Sequence, residues 1–235
     1  MDYKYLHDPF PDEEDEESFQ NIGEINAIIA GNELTDLADA KRSVDWPDWE
    51  KAIQSELLQL QQMGTWKLVD KPLNSIPIAN KWTFIKKRNK ASEVIKHKAR
   101  LVVKGCAQRP GYDYVKTFSP VVRMETIRAI LALVLIKNLK IQQMDVKGAY
   151  LNRQLKEKVY MQQPEGYGDN TGRVCELVKT LYGLKQSGRE WNNELDQKLK
   201  RFGFKRLVFD PCTYKKESDN ELVIITVWVD DLLIF

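Results

Sequence analysis

Three aspartates stand where the chain is otherwise apolar. Asp230 and Asp231 interrupt the run Leu222–Phe235, fourteen residues that are apolar apart from this pair and Thr226. Asp145 lies near the end of a second predicted strand, Lys140–Val146. Burying an unpaired carboxylate costs several kcal/mol, so the Asp pair either turns in water or is compensated by a cation. Neighbouring strand side chains point to opposite faces, and both acids reach one centre only at a turn. Each feature alone has an ordinary reading, a hairpin turn for the pair and a cap or turn residue for Asp145. Together, three acids at strand ends with no His or Cys nearby have the hard-oxygen character that Mg²⁺ requires. Two such ions about 4 Å apart activate an attacking hydroxyl and stabilise a leaving pyrophosphate. Only His7 and His97 supply imidazole, which excludes mechanisms that need several.

The second chemical signal is positive charge. The formal net charge is +2, but nine acids fall within the first 24 residues, leaving a body with 35 bases and 25 acids. Such a division suggests a polyanion-binding unit behind a solvated leader. Between Lys81 and Arg109 stand ten Lys or Arg against one acid, Glu93. Over Lys98–Lys104 basic and apolar residues roughly alternate, so one strand face packs while the other projects charge. A phosphate-gripping hairpin and an ordinary strand pair with lysine-guarded edges both fit this pattern.

The elements that must carry these residues read as follows. Pro47 opens a helix that Gly64 can end, with Asp45 or Trp46 as its cap and Trp49, Ile53, Leu57 and Leu60 on one stripe. Strand-like runs cover Thr65–Val69, Lys81–Lys87 and Ile95–Lys104, the last two joined by a turn at Asn89–Ser92. Met124–Lys137 is a helix apolar enough to be buried. Further strands are expected at Val159–Gln162, Val174–Leu181 and Glu221–Val229. Tyr182–Gly188 is a bend, followed by a helix with Trp191, Leu195, Leu199 and Phe202 on one face. The spacing is too irregular for a doubly wound sheet, and an α+β fold with a mainly antiparallel sheet and packed helices fits best.

With 235 residues and 43% hydrophobic content, the chain can bury a sizeable core, which excludes disordered and fibrous classes. No run approaches the ~20 apolar residues of a bilayer span, so no membrane partner is expected. Three scattered cysteines form neither a disulfide framework nor a zinc knuckle, and the N-terminus lacks a signal pattern; an intracellular, reducing compartment follows. Residues 1–44 are expected to be an acidic leader and poorly ordered connector, and residues 45–235 the folded unit.

Six ordered motifs carry a resemblance: Lys98-Ala-Arg-Leu-Val-Val-Lys-Gly105, Thr117-Phe-Ser-Pro-Val-Val122, Met144-Asp-Val-Lys-Gly-Ala-Tyr-Leu-Asn152, Val159-Tyr-Met-Gln-Gln-Pro-Glu-Gly166, Leu181-Tyr-Gly-Leu-Lys-Gln-Ser187 and Trp228-Val-Asp-Asp231. From about Trp46 to Ile234 the chain resembles the reverse transcriptase of copia-type LTR retrotransposons. The resemblance implies the fingers and an incomplete palm of a right-hand polymerase. Its partners would be an RNA or DNA template with primer and deoxynucleoside triphosphates, and its cofactor two Mg²⁺ ions. Asp145, Asp230 and Asp231 match the metal-binding, catalytic acids. Tyr150 matches the steric gate that excludes a 2′-hydroxyl. Arg100 and, as the companion lysine, Lys87 match the triphosphate contacts, and Gln186, beside Lys185, matches the segment lining the nucleotide pocket. Trp228 stands where the family carries Tyr, which puts primer-end contacts in question. The resemblance places the protein in the cytoplasm, in virus-like particles, or in the nucleus.

Two departures bear on activity. The turn Asn89–Ser92 lacks the usual Gly, which unsettles the placement of Lys87. The sequence stops four residues past Asp231, so a cut return strand, a missing thumb and an impaired enzyme are expected. A noncatalytic nucleic-acid-binding remnant is the alternative; a Mg²⁺ nuclease fits the acids but not the gate.

Overall fold

A computed structural model of the chain describes residues 34–218 and 221–235. The acidic leader, residues 1–33, lies outside the described residues. Within the expected connector, helix α1 (Leu37–Arg42) is capped by Asp36, whose carboxylate accepts from the Asp39 amide at 2.8 Å. Leu37 and Ala40 are buried, so residues 37–42 pack rather than hang loose. Leu37 sits where Gly166 has no side chain: a Cβ there would lie 2.6 Å from its Cδ2.

Helix α2 (Trp46–Gln62) buries Trp49, Ile53 and Leu60 as its spacing requires. Asp45 occupies the cap position without bonding the helix amides; its carboxylate pairs with Lys86 and lies 3.7 Å from His97. Strands β1 (Trp66–Val69), β2 (Asn80–Arg88) and β3 (Val94–Val103) follow. The β2–β3 ladder is antiparallel, with Trp82 opposite Leu101 and Thr83 opposite Arg100. Since side chains alternate, Trp82, Phe84, Ala99, Leu101 and Val103 turn into the core. Thr83, Lys87, Lys96, Lys98 and Arg100 share the other face.

Helix α3 (Met124–Lys137) leads to β4 (Gln142–Asp145), β5 (Tyr160–Met161) and β6 (Val174–Leu177). Helix α4 (Ser187–Arg201) then precedes β7 (Lys205–Arg206), β8 (Thr213–Ser218), β9 (Glu221–Trp228) and β10 (Asp231–Ile234). Among the described residues the strands form three antiparallel sheets, in the orders β1-β6-β5, β2-β3 and β4-β10-β9-β8-β7. The mixed α+β expectation holds. The return strand is short but pairs on both sides, with β9 and with β4.

One hydrophobic core joins α1, α2, the inner face of β2–β3 and the β1-β6-β5 sheet. A second packs Trp191, Leu195 and Leu199 of α4 against Ile225, Val227 and Leu232. Helix α3 corrects the sequence reading. It buries only Ile130 and Val134, against Ile224 and Phe235, while Leu135 and Ile136 are 84% and 79% exposed. Residues four apart form one stripe, and one sheet face covers only that stripe. No helix among the described residues is long and apolar enough to cross a membrane.

The bend after β6 packs on the end of β3 within the first core. The Val103 amide donates to the Tyr182 carbonyl at 2.8 Å. Gly183, at φ +89°, approaches so closely that a Cβ would lie 2.1 Å from the Val103 carbonyl oxygen. Gly183→Ala should therefore destabilise the fold by at least about 3 kcal/mol. Gly111→Ala, at φ +77° with no atom within 4 Å, should cost about 1–2 kcal/mol. Equal urea-midpoint shifts for the two variants would contradict the close-approach account.

Candidate active site

Strands β4, β10 and β9 build the site from their register. Asp231 is the Cα partner of Asp145 on one side and of Trp228 on the other. Residues directly opposite in an antiparallel ladder share a face, so Asp145, Asp231 and Trp228 form one row. Leu232 and Val227, one position along, turn to the α4 side and are buried. Trp228 is 45% exposed, an aromatic face beside two acids.

Asp230 sits in the two-residue turn between β9 and β10. Val229 takes φ +53°, a conformation that a β-branched residue adopts only under constraint. Both turn carbonyls are held: the Trp191 indole donates to Val229 O at 2.8 Å, and the Val146 amide to Asp230 O at 2.9 Å. The second bond places Asp230 beside the residue that follows Asp145. All three predicted acids therefore meet along the backbone despite their separation in sequence.

Their side chains stop short of a closed cage. Among the described residues no group of three His, Cys, Asp or Glu side chains is assembled as a metal cluster. Asp231 accepts from Gln143 Nε2 at 3.4 Å. The Tyr182 hydroxyl donates to Asp230 Oδ2 at 3.3 Å. Burial first, then the charges of Asp145 and Asp231, raise the Asp230 carboxyl above the ordinary range; the Tyr182 bond and Arg100 act in the opposite direction. Asp230 Oδ1 is buried and has no hydrogen-bond partner. That orphaned acceptor, in an all-oxygen donor set, is the feature that fits a hard divalent cation.

Tyr150 lies in a 3-10 turn, Ala149–Asn152, entered through Gly148 at φ +59°. Its carbonyl accepts from the Thr180 hydroxyl. Its ring meets the Tyr182 ring edge-on, with centroids 4.8 Å apart. Burial, and then the Asp230 charge, push its phenol up to about 12. Arg100 places its guanidinium 4.8 Å from the Tyr182 ring centre, within cation–π range. One aromatic thus touches the gate candidate, the triphosphate candidate and a metal candidate. The sequence reading placed Tyr182 only in a bend and within a motif, with no role of its own.

Two predicted residues stand differently from expectation. Gln186 is 1% exposed: it accepts from Gln108 Nε2 at 3.0 Å and donates to the Asp113 carbonyl at 2.8 Å. An amide engaged at both ends braces two loops and does not line an open pocket. Lys87 is exposed and shares the Arg100 face, but four residues along the ladder separate their rungs, about 13 Å. A register irregularity at Lys87/Arg88 follows. Lys98 lies between them, two positions from Arg100. Burial, and then the charges of Arg100 and Lys87, lower its ammonium, while Glu56 and then Asp145 oppose this. Lys98 shares the outer hairpin face with Arg100; the sequence reading quoted it only within a motif.

The register, the acids and the basic hairpin agree with what the chain resembles. Residues 63–235 match the family described as reverse transcriptase (RNA-dependent DNA polymerase), and the chain belongs to that family. Among similar proteins are retrovirus-related Pol polyproteins from transposon TNT 1-94 of Nicotiana tabacum and transposon RE1 of Arabidopsis thaliana. They are 43% identical over 187 residues and 40% over 189. The truncated Ty1-A Gag-Pol polyprotein of Saccharomyces cerevisiae is 32% identical over 190 residues. These matches cover 78%, 79% and 79% of this chain, but only 14%, 13% and 15% of the respective relatives.

The raised Asp230 carboxyl has a sign. A carboxyl held above its ordinary value favours the folded state when protonated. Stability from this source is full below the unfolded value and is lost as pH rises through the folded one. Asp230→Asn is expected to stabilise the chain at pH 7, an advantage that shrinks as pH falls through the raised folded value and is gone below about 4. Urea midpoints at both pH values measure it.

Proposed function

We propose that this chain supplies the nucleotide- and cation-binding centre of a retrotransposon reverse transcriptase, the fingers and part of the palm of a right-hand polymerase. The reaction is addition of deoxynucleotides to a primer 3′-hydroxyl on an RNA or DNA template. The observation that carries this reading is the row Asp145–Asp231–Trp228 with Asp230 at the adjoining turn. Asp145 and Asp230, with Asp231 less closely, would hold two Mg²⁺ ions. When bound, these ions activate the hydroxyl and offset the charge that develops on the leaving pyrophosphate.

The chain's own residues bind and orient. Arg100, with Lys98 and Lys87 on the same hairpin face, holds the triphosphate through charge-assisted hydrogen bonds. Tyr150 closes the space a 2′-hydroxyl needs. Trp228 offers an indole face to the primer end, keeping stacking without a phenol. Such catalysis is positioning plus electrostatic stabilisation, with little covalent work for the protein. The noncatalytic-remnant alternative is not favoured, because the acids gather at one turn and the gate candidate touches the Tyr182 ring whose hydroxyl reaches Asp230.

Primer extension tests the reading, using this chain joined to the downstream polymerase segment of the tobacco relative. Asp145→Asn and Asp230→Asn should each reduce extension by about 10³-fold or more, and near-normal extension by either removes the metal assignment. In the same assay Tyr150→Val should lower discrimination against ribonucleotides about tenfold or more; unchanged discrimination removes the gate.

A further inference from the structure

Tyr182 touches three proposed site residues at once. Its backbone is fixed before its side chain acts. The carbonyl accepts from the Val103 amide at 2.8 Å, and Gly183 packs against the same strand with no room for a Cβ. From that anchor the ring carries the Arg100 guanidinium 4.8 Å from its centre. Its edge contact sets the Tyr150 ring at 64° with centroids 4.8 Å apart. The hydroxyl donates to Asp230 Oδ2 at 3.3 Å, while Oδ1 of the same carboxylate is buried without a partner.

We propose that Tyr182 is a positioning residue of the centre: its hydroxyl engages Oδ2 of Asp230 so that Oδ1 is presented to the cation, and its ring fixes the separation of Arg100 and Tyr150. The proposal rests on the functional reading above and deepens it. A carboxylate free to rotate offers either oxygen and loses orientation each time a cation binds; one held by a phenol offers a single oxygen in place. Partners that orient a ligand in this way typically contribute about 10–100-fold to metal affinity. The ring acts differently. Arg100 arises from β3 in the first core and Tyr150 from the turn after β4, so a side chain lying between them sets the width of the space left for triphosphate and sugar. The hydroxyl therefore governs cation affinity, and the ring governs nucleotide selection.

The two parts separate in binding measurements on the 235-residue chain itself, with Mn²⁺ as the probe read by electron paramagnetic resonance. Tyr182→Phe keeps the ring and should weaken Mn²⁺ binding about tenfold while leaving the preference for dATP over ATP within about twofold. Tyr182→Leu removes both groups and should also reduce that preference about fivefold or more. Urea midpoints accompany each variant, so a loss of folding is seen directly. If Tyr182→Phe is folded and binds Mn²⁺ as the parent chain does, the orienting role is overturned. If Tyr182→Leu is folded and keeps the full sugar preference, the spacing role is overturned. Asp230→Asn is the reference arm: parent-like Mn²⁺ binding by that variant overturns the cation reading beneath the proposal, which distinguishes the two failures.

Discussion

The antiparallel pairing of β4 with β10 is four residues long, and the candidate centre depends on it. Because the side-chain period in a strand is two, a slip of one position would exchange the faces of Asp231 and Leu232. Acid would then enter the α4 core and leucine the open face. The register is held by burial of Leu232 and Val227 on one side and by the Val146–Asp230 backbone bond at the end of the ladder. Hydrophobic burial thus sets the phase of the acids. The left-handed Val229 is tolerated because both carbonyls of its turn already have partners.

Around this ladder the molecule divides its labour by core. The first core gives the β2–β3 hairpin a packed inner face, which frees the outer face to concentrate charge at Lys87, Lys96, Lys98 and Arg100. On the inner side Lys86 is taken up by Asp45, so the hairpin's lysines are not equivalent. The second core carries the acids. The acids and the basic face therefore come from separately packed clusters, and the Tyr182 hydroxyl reaches from the bend beside the first to Asp230.

Much of this was legible in the sequence, for identifiable reasons. The stripe Trp49–Ile53–Leu60 and the alternation across β2 and β3 are local patterns, and local patterns specify elements well. The acids were conspicuous because carboxylates are costly in apolar runs. Strand β8, Thr-Tyr-Lys-Lys-Glu-Ser, was not recognised: its polar composition gives no periodic signal, and its place comes from pairing with β9. Helix α3 was expected inside because composition was read without knowing how many faces would be covered. Tyr182 and the bracing role of Gln186 depend on contacts between segments far apart in sequence, which spacing does not report. Lys87 was chosen as the companion lysine because distance along a ladder becomes visible only once the register is known.

The packing of the molecule as separate cores has a thermodynamic consequence. Two cores of separate side chains can open at different free energies, so amide exchange in the hairpin and in the five-stranded sheet need not share a common rate. On the proposed function, a ligand gripped by Arg100 on one side and by the acids on the other would bind only when both are folded and would add RT ln(1 + [L]/Kd) to each. Occupancy would draw the two opening equilibria together, and substrate would serve as the mortar of the fold as well as its cargo.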